Sequence, residues 1–324
     1  MKAAILHGPE DLRVEDVPDP SPAADEVVVR VEAATTCGTD VKMWRRGHPV
    51  LGAYPARFGH EMAGVRADTG DRVLVGDSVA CGACPPCRAG RPQICRDTRW
   101  VLGGFAEALA APESALHPIP DGLDAAGAAM GEPLAAAVHA LDRAPGRELA
   151  PDAGVLGGGP MGQMLAALLV HEGRTVTLAD PHPERRAQAE AIGAMTAETV
   201  RDCDVVFEAV GQPAAWREAV EACAPGGTVV FVGGCASGSH APLPTHPLHY
   251  DELDLRGAFH HSPAEVDRAL ALLAEGAVDW QALATGPIGL EELPEALAER
   301  GGPARKWVVN PQRPSTGSDP VEVG

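Results

Sequence analysis

The stretch Ala153-Gly-Val-Leu-Gly-Gly-Gly-Pro-Met-Gly-Gln-Met-Leu-Ala-Ala-Leu-Leu-Val170 decides the fold of this chain. A short apolar run leads into the pattern Gly157-x-Gly159-x-x-Gly162, and an apolar helical run follows. A second strand-like run, Arg174–Asp180, ends in an acid 18 residues after Gly162. The glycine pattern alone is a weak signal in a chain with 37 glycines. Strand, turn, helix and second strand in this order are the context that a dinucleotide-binding turn requires.

This turn predicts a pyrophosphate site at the N-terminus of the following helix, where backbone N–H groups attract phosphate. Asp180 would accept hydrogen bonds from the adenosine ribose and repel a 2′-phosphate, which favours NAD. Arg185 and Arg186 leave NADP open, because arginine near this position can accept the extra phosphate. The residues predicted to bind the cofactor here are Gly157, Gly159, Pro160, Met161, Gly162, Asp180 and Arg185.

Two further strand-like runs extend the alternation. They are Asp204–Val210 and Gly227–Val232, and residues 214–223 between them are typical of a helix. Strands alternating with helices predict a parallel, doubly wound sheet of the Rossmann type. The strand ends, where the nicotinamide half of the cofactor would pass, carry Val210, Gly211, Val232 and Gly233.

Four cysteines stand close together upstream of this unit. Cys81, Cys84, Cys87 and Cys95 have the spacing C-x2-C-x2-C-x7-C. Four thiolates in so short a loop suit one tetrahedral metal, and zinc is the usual ion in an all-sulfur site. The alternative is a pair of disulfides, which needs an oxidising compartment that nothing in the sequence indicates. The loop is therefore predicted to be a closed structural zinc site.

Three further runs contain residue types that zinc accepts as ligands. They are Thr36–Asp40 with Cys37, Phe58–Glu61 with His60, and Met130–Leu134 with Glu132. An unpaired Glu132 would be costly to bury, so it is exposed or bound to a positive group. Three protein ligands and an open position are the pattern of a catalytic zinc site. Each motif alone is weak, and the spacing does not bring the three residues together.

These motifs together resemble the zinc-dependent medium-chain alcohol and polyol dehydrogenases, in particular the sorbitol and threonine dehydrogenase branch. In that branch the motifs Cys-Gly-Thr/Ser-Asp, Gly-His-Glu and Glu-Pro carry the catalytic zinc, and all three stand here in the same order. The resemblance covers roughly residues 1–310. It implies a catalytic zinc on Cys37, His60 and Glu132, with Glu61 beside the metal and able to enter its coordination sphere. With the cysteine loop, that makes two zinc ions per chain.

The resemblance also implies three catalytic residues: Thr39, Asp40 and Glu61. Thr39 matches the hydroxyl residue that contacts the substrate alcohol and relays its proton, and Asp40 matches a carboxylate that would hold His60 in its ligating tautomer. The alternative for Thr39 and Asp40 is a plain turn, which Gly-Thr-Asp favours. The second relay residue is not identified: Lys42 stands near that point, and His48 is a candidate.

The implied fold class is α/β, with a β-rich GroES-like catalytic domain and a Rossmann domain. The predicted division is residues 1–133 for the catalytic domain with its zinc lobe, 134–258 for the NAD-binding domain, and 259–324 for a return to the catalytic domain. Residues 263–276 and 290–300 look helical. The tail from about residue 311 is polar with three prolines and is predicted to be disordered.

Composition limits the possible number of domains, the class of partner and the cellular location. The 324 residues are 45% hydrophobic, enough for about two domains. A formal net charge of −19 argues against nucleic acid or an anionic membrane surface as partner. No apolar run approaches bilayer length, and the N-terminus lacks the features of a secretory signal, so a reducing cytoplasm is predicted. Cys203, Cys223 and Cys235 are expected to be buried inert thiols.

The sequence therefore predicts NAD(P)-dependent oxidation of a secondary alcohol, a polyol or amino alcohol, to a ketone by hydride transfer. One alternative is a zinc-free enone or quinone reductase of the same superfamily, a branch that lacks the three metal motifs. Another is a non-enzymatic NAD-binding protein. The expected partners are a small alcohol or ketone and, from the resemblance, identical subunits in a homo-dimer or homo-tetramer. The proline- and histidine-rich loop 236–250 is interpreted as a surface loop or a wall of the substrate pocket, in preference to a third metal site.

Overall fold

A computed structural model describes residues 1–144, 152–298 and 305–314; the predicted tail beyond residue 314 lies outside these ranges. The first part of the chain is rich in short strands. Its elements are β1 (Lys2–Gly8), β2 (Asp11–Asp16), β3 (Glu26–Thr35), α1 (Gly38–Arg46), β4 (Ala56–Arg57), β5 (Met62–Arg66), β6 (Arg72–Val75), β7 (Ser78–Val79), α2 (Pro85–Arg88), β8 (Arg99–Trp100), β9 (Ala108–Pro112), β10 (Leu116–Pro118) and α3 (Ala125–Ala129).

Strands and helices alternate in the middle of the chain. These elements are α4 (Gly131–Arg143), β11 (Asp152–Leu156), α5 (Pro160–His171), β12 (Thr175–Ala179), α6 (Pro183–Ala191), β13 (Met195–Ala197), β14 (Cys203–Glu208), α7 (Pro213–Ala222), β15 (Cys223–Phe231), α8 (Thr245–Tyr250) and β16 (Asp254–Gly257). The last elements are α9 (Pro263–Ala274), α10 (Trp280–Leu283), β17 (Ala284–Ile288), α11 (Leu293–Ala298) and β18 (Lys306–Val309).

The β-rich part is built around β3, whose β-branched residues favour an extended backbone. Val29 and Val31 are fully buried while Arg30 between them is exposed, which is the period of two expected of a strand. The sheet runs β10-β6-β5-β3-β18-β17, and β9 also pairs with β3. Because β18 pairs antiparallel with β3, the end of the described chain returns to the sheet formed by its beginning.

The second large sheet has the order β13-β12-β11-β14-β15-β16, and all of its pairings are parallel. Counted from β11, this is the Rossmann order 3-2-1-4-5-6, which confirms the predicted doubly wound α/β fold. The strand order reverses at β11, so a crevice forms beyond its carboxyl end, where the glycine turn leads into α5. A Cβ atom on Gly162 would lie 1.8 Å from the Gly157 carbonyl oxygen, so this contact between turn and helix requires glycine.

One local prediction was wrong. The predicted loop 236–250 contains α8, which tolerates Pro247 because it stands in the first helical turn. Strand β9 begins only at Ala108, because the N–H groups of Gly103 and Gly104 both bond to the Gly59 carbonyl in a turn before it. Among the described residues, no helix has both the length and the apolar character needed to span a bilayer.

Candidate active site

Cys37, His60 and Glu61 form the centre of the site. Cys37 lies between β3 and α1 and caps α1, and His60 and Glu61 stand directly before β5. The cysteine Sγ, one imidazole nitrogen and one carboxylate oxygen all lie within 4.8 Å of one another. A thiolate, an imidazole and a carboxylate are ligands that zinc accepts, so this donor set fits the metal that the sequence predicts.

Asp40 holds this cluster in place from the first turn of α1. Its side chain is fully buried; Oδ2 accepts a hydrogen bond from the Cys37 N–H at 2.8 Å, and Oδ1 lies 3.1 Å from His60 Nδ1. With Nδ1 bound to the carboxylate, Nε2 is the nitrogen left to bind a metal. Burial opposes a charge on His60, but the Asp40 carboxylate outweighs it and raises the pKa of His60 well above its usual value. The site therefore attracts positive charge.

Glu61 is fully buried and bound on both oxygens. Lys306 Nζ lies 2.7 Å from Oε1, and the Thr35 hydroxyl donates to Oε2. Burial raises the pKa of Glu61, and Lys306 acts in the opposite direction. Sequence analysis did not identify Lys306. The available signal was a lysine directly before the apolar run Trp307–Val309, a position where a strand would bury it.

Glu132 lies beside the Cys37–His60–Glu61 cluster, because it lines the same cavity as His60. It is buried at the start of α4, and its Oε1 lies 3.1 Å from His261 Nε2. His261 gives the buried carboxylate a polar partner, which its burial requires. The carboxylate oxygen within 4.8 Å of the Cys37 and His60 ligand atoms is that of Glu61, and binding of the catalytic zinc by Glu132 stays a prediction.

Glu132 belongs to a second cluster, which has four side chains. Its members are Asp77, Glu132, His260 and His261, with one ligand atom from each lying within 4.8 Å of the others. Burial, followed by the Glu132 charge, raises the pKa of Asp77, and burial lowers the pKa of His260 to about 4. Sequence analysis missed Asp77, His260 and His261; the adjacent histidine pair shortly before α9 was the available signal.

Two cavities adjoin the central cluster. The first, of about 230 Å³, is lined by Thr39, Met43, His48, Val50, His60, Asp77, Trp100, Leu102, Glu132, Phe259 and His260. Thr39 is thus placed in the same cavity as His60 and the candidate relay residue His48. The second cavity, of about 360 Å³, is lined by Thr36, Cys37, Gly38, Val41, Pro133, Pro160, Met161, Met164, Arg185, Ala296, Leu297, Arg305, Lys306 and Trp307. It joins Cys37 to the glycine turn.

Asp180 lies at the end of β12, but its carboxylate is already used by the protein. It is 5% exposed, and it accepts hydrogen bonds from the backbone N–H groups of Gly158 and His182, each at 2.8 Å. Arg185 Nη1 lies 3.2 Å from Oδ2, and Arg186 donates to the Asp180 carbonyl at 2.7 Å. Asp180 therefore shapes the glycine turn, and both arginines are tied to it.

The predicted nicotinamide-side residues are held together by a glutamate that sequence analysis missed. Glu208 Oε1 accepts from the N–H groups of Val210 and Gly211, both at 2.8 Å. The Glu208 carbonyl accepts from Val232 at 2.9 Å and from Gly233 at 2.8 Å. The signal was an acid at the end of an otherwise apolar strand. Glu208 thus brings the ends of β14 and β15 together.

The four-cysteine loop folds back on itself. The Cys84 sulfur lies 3.4 Å from that of Cys87 and 3.8 Å from that of Cys95, and all four sulfurs are within 4.8 Å of one another. Four sulfurs at zinc–sulfur distance in a tetrahedron stand about 3.8 Å apart, so the loop fits one zinc ion. Backbone N–H groups of Arg96 and Cys87 lower the pKa of Cys84 to about 6.

All eight cysteines are free, so the disulfide alternative finds no support. Cys203 and Cys223 are buried as predicted, and burial raises the pKa of the first to about 11 and of the second to about 12. The prediction was wrong for Cys235, which is only partly buried because it follows β15 in a loop near the surface.

Known proteins share this architecture. Residues 23–121 match the alcohol dehydrogenase GroES-like domain, and residues 160–275 match the zinc-binding dehydrogenase family. The chain is 30% identical over 334 residues to the sorbitol dehydrogenase of Bacillus subtilis, with 92% of each chain covered. It is also 30% identical over 346 residues to the L-threonine 3-dehydrogenase of Rhizobium rhizogenes, covering 96% of this chain and 98% of the relative.

A solved structure extends the likeness to three dimensions. A protein from Sinorhizobium meliloti 1021, assigned as a zinc-binding dehydrogenase and crystallised with NADP, superposes with a TM-score of 0.88 at 29% identity. The match covers 96% of this chain and 99% of that one. On the fold, the arrangement of the site and these relatives, the chain is an oxidoreductase that belongs to the zinc-binding medium-chain dehydrogenase/reductase family.

Proposed function

We propose that this chain oxidises a small secondary alcohol, a polyol or an amino alcohol, to a ketone with NAD as the hydride acceptor. One observation carries the proposal: the Cys37–His60–Glu61 cluster lies between a cavity that contains Thr39 and a cleft that reaches the glycine turn. Such a position would hold an alcohol oxygen on one side and the nicotinamide on the other. The relatives named for sorbitol and threonine dehydrogenation support the same reaction class.

Cys37, His60 and Glu132 would hold the catalytic zinc, with Glu61 beside the metal and able to enter its coordination sphere. Cys81, Cys84, Cys87 and Cys95 would hold the structural zinc. When bound, the catalytic zinc supplies a Lewis acid that lowers the pKa of an alcohol oxygen. Asp40 would keep His60 in the tautomer that presents Nε2. Lys306 would balance the charge of Glu61, because a buried carboxylate needs a positive partner.

Thr39 and then His48 would accept the proton of the substrate alcohol. Both line the cavity beside His60, and His48 Nδ1 accepts a hydrogen bond from the Val50 N–H at 3.3 Å. Burial, with smaller contributions from Lys42 and His60, lowers the pKa of His48, so its ring is neutral near pH 7 and able to accept a proton. Thr39 would pass the alcohol proton to His48, from which it leaves to solvent.

The cavity sets the substrate class. Its volume of about 230 Å³ suits a small molecule, and it combines polar side chains (Thr39, His48, Asp77, His260) with the apolar faces of Trp100 and Phe259. Several hydroxyl or amino groups of the substrate could therefore be bound at once.

Asp180 supports NAD over NADP through its charge, although the S. meliloti relative was crystallised with NADP. The proposed domain limits are residues 1–133 for the catalytic domain, 134–258 for the NAD-binding domain and 259–324 for the return to the catalytic domain. The proposed assembly is a homo-dimer or a homo-tetramer.

A screen of the zinc-loaded protein for NADH or NADPH formation over polyols, aminocyclitols and amino alcohols tests the proposal. We expect NADH formation with at least one of these classes and loss of the activity in Cys37→Ser. Reduction of an enone or quinone that survives in Cys37→Ser would instead support a zinc-free reductase. Cofactor binding without turnover of any alcohol or ketone would support a non-enzymatic role.

A further inference from the structure

Asp77 is a buried carboxylate in the wall of the cavity that the proposed function gives to the substrate. It stands between β6 and β7, and its side chain is 6% exposed. The Val101 N–H donates a hydrogen bond to the Asp77 carbonyl at 2.7 Å, which fixes the backbone at this point. Asp77 lines the cavity of about 230 Å³ together with Thr39 and His60. A bound alcohol would therefore lie beside this carboxylate.

One oxygen of Asp77 lacks a hydrogen-bond donor. Its Oδ1 is buried and accepts no hydrogen bond from the described residues. The Nε2 atoms of His260 and His261 each lie 3.5 Å from this oxygen, longer than an N–H···O hydrogen bond. Both nitrogens have a nearer partner: Ser78 Oγ lies 2.7 Å from that of His260, and Glu132 Oε1 lies 3.1 Å from that of His261. A buried carboxylate oxygen in this state costs free energy unless a ligand supplies the donor.

The charges of the site favour a donor that is positive. The acidic groups around the catalytic metal would be the Cys37 thiolate and four buried carboxylates, Asp40, Glu61, Asp77 and Glu132. A divalent zinc ion and Lys306 would supply three positive charges against these five negative ones. Glu61 is bound by Lys306, and Glu132 would bind the metal, so Asp77 is left without a cation. Burial and the Glu132 charge raise the pKa of Asp77, and a bound cation would act in the opposite direction.

A substrate ammonium group has the properties that this position requires. It carries a positive charge and N–H donors, whereas a hydroxyl group donates one hydrogen and leaves the carboxylate charge unbalanced. Trp100 lines the same cavity, and an aromatic face also attracts a cation. We propose that Asp77 binds the ammonium group of the substrate, so that the enzyme selects amino alcohols over polyols of the same shape. This inference rests on the proposed function, because the carbinol group of the same molecule would be held beside Thr39 and His60.

Matched substrate pairs that differ in a single amino group test this selection. The pairs are isopropanolamine with propylene glycol, glucosaminitol with sorbitol, and scyllo-inosamine with scyllo-inositol, each given to the zinc-loaded full chain with NAD. We expect kcat/KM to be about 30-fold higher or more for the amino member of at least one pair, because loss of one partner of a buried charge pair costs at least that factor. Equal or better oxidation of the hydroxyl member in every pair would support the proposed function and overturn this inference.

Asp77→Asn assigns the selection to its residue, because it keeps the size of the side chain and removes the charge. We expect kcat/KM to fall about 30-fold or more for the amino member and only slightly for the hydroxyl member, with wild-type zinc content. Asp71→Asn is the matched control: Asp71 is exposed directly before β6 and lines neither cavity, so the preference should persist. An unchanged preference in Asp77→Asn, or an equal fall for both members, would overturn the assignment. Asp77→Ser is the second variant if Asp77→Asn fails to fold.

Calorimetric titration separates this inference from the proposed function. If no alcohol is turned over, the proposed function fails, and binding of the same pairs to zinc-loaded protein saturated with NAD still decides the role of Asp77. Tighter binding of the amino member that is lost in Asp77→Asn would support ammonium recognition. Equal affinity of the wild-type protein for both members of every pair would overturn it.

Discussion

Lys306 Nζ lies 2.7 Å from Glu61 Oε1, and both side chains are buried. This ion pair joins β18, the last described strand, to the loop that also carries His60. Burial alone would lower the pKa of Lys306, but the Glu61 carboxylate raises it above its ordinary value. Lys306 is therefore charged at neutral pH, and the returning end of the chain supplies the positive charge behind the proposed catalytic metal.

Replacing Lys306 by methionine should destabilise the protein strongly. The change keeps a long apolar side chain and removes the charge, which leaves Glu61 buried without its lysine partner. Breaking one side of a buried ion pair costs about 3–5 kcal/mol. Lys306→Arg keeps the charge, so its free energy of unfolding should fall much less. Urea unfolding of zinc-loaded protein measures both, and a methionine variant as stable as the arginine variant would show that the pair does not stabilise the fold.

Loss of one thiolate from the cysteine loop should cost both metal and stability. Cys84→Ser removes a ligand from a site whose folding is coupled to zinc binding, so we expect about one zinc fewer per chain and a lower melting temperature. Zinc analysis and thermal unfolding measure the two effects. Cys235→Ser, a change outside every cluster, should alter neither. A Cys84→Ser protein with wild-type zinc content and melting temperature would contradict a structural zinc site here.

The features that sequence analysis predicted best are local. The four cysteines lie within 15 residues, and the glycine turn lies between two strands of its own unit. Their chemistry is therefore visible in short-range spacing. The parallel sheet followed from the alternation of apolar runs with helices, because each run must be buried on both faces.

The features that sequence analysis missed depend on tertiary contacts between distant residues. Lys306 and Glu61 are 245 positions apart, and His261 and Glu132 are 129 apart. No periodicity or spacing connects such pairs, because the fold alone brings them together. Glu132 illustrates the limit: its burial and need for a positive partner could be anticipated, but the identity of the partner, His261, could not.

Asp180 should set the cofactor preference, and the preference should not change with pH. Burial opposes ionisation of Asp180, but the N–H groups of His182 and Gly158 outweigh it and lower its pKa. A lowered pKa means that the carboxylate protonates only below its ordinary range, so it stays charged between about pH 6 and pH 9. We expect a constant ratio of NAD to NADP efficiency over that range.

Removal of the Asp180 charge should reduce the difference in kcat/KM between NAD and NADP. Asp180→Asn is the milder change, because an amide oxygen can still accept from the Gly158 N–H that shapes the turn. Asp180→Ala removes the charge and the turn contacts together, and should weaken both cofactors. Measurements of kcat/KM with NAD and NADP test this. A wild-type enzyme that prefers NADP would show that the Asp180 carboxylate does not select against the 2′-phosphate.

Thr39 should be required for proton removal and not for metal binding. Its hydroxyl lies two positions after Cys37 and lines the cavity beside His60, so it can reach an alcohol oxygen held there. A positioned proton acceptor is typically worth about 10²–10⁴-fold in rate. Thr39→Val keeps the shape of the side chain and removes the hydroxyl. We expect retained zinc, retained NAD binding and a fall in kcat of that order for alcohol oxidation.

Two further variants separate a proton relay from a structural role for Thr39. Thr39→Ser restores the hydroxyl and should recover most of the activity. Glu61→Gln removes the charge that pairs with Lys306, so it should disturb zinc occupancy as well as rate. If Thr39 only shapes the first turn of α1, valine would reduce zinc content and thermal stability along with activity, and serine would give no special rescue. Wild-type kcat in Thr39→Val, with a confirmed alcohol substrate, would exclude Thr39 from the relay.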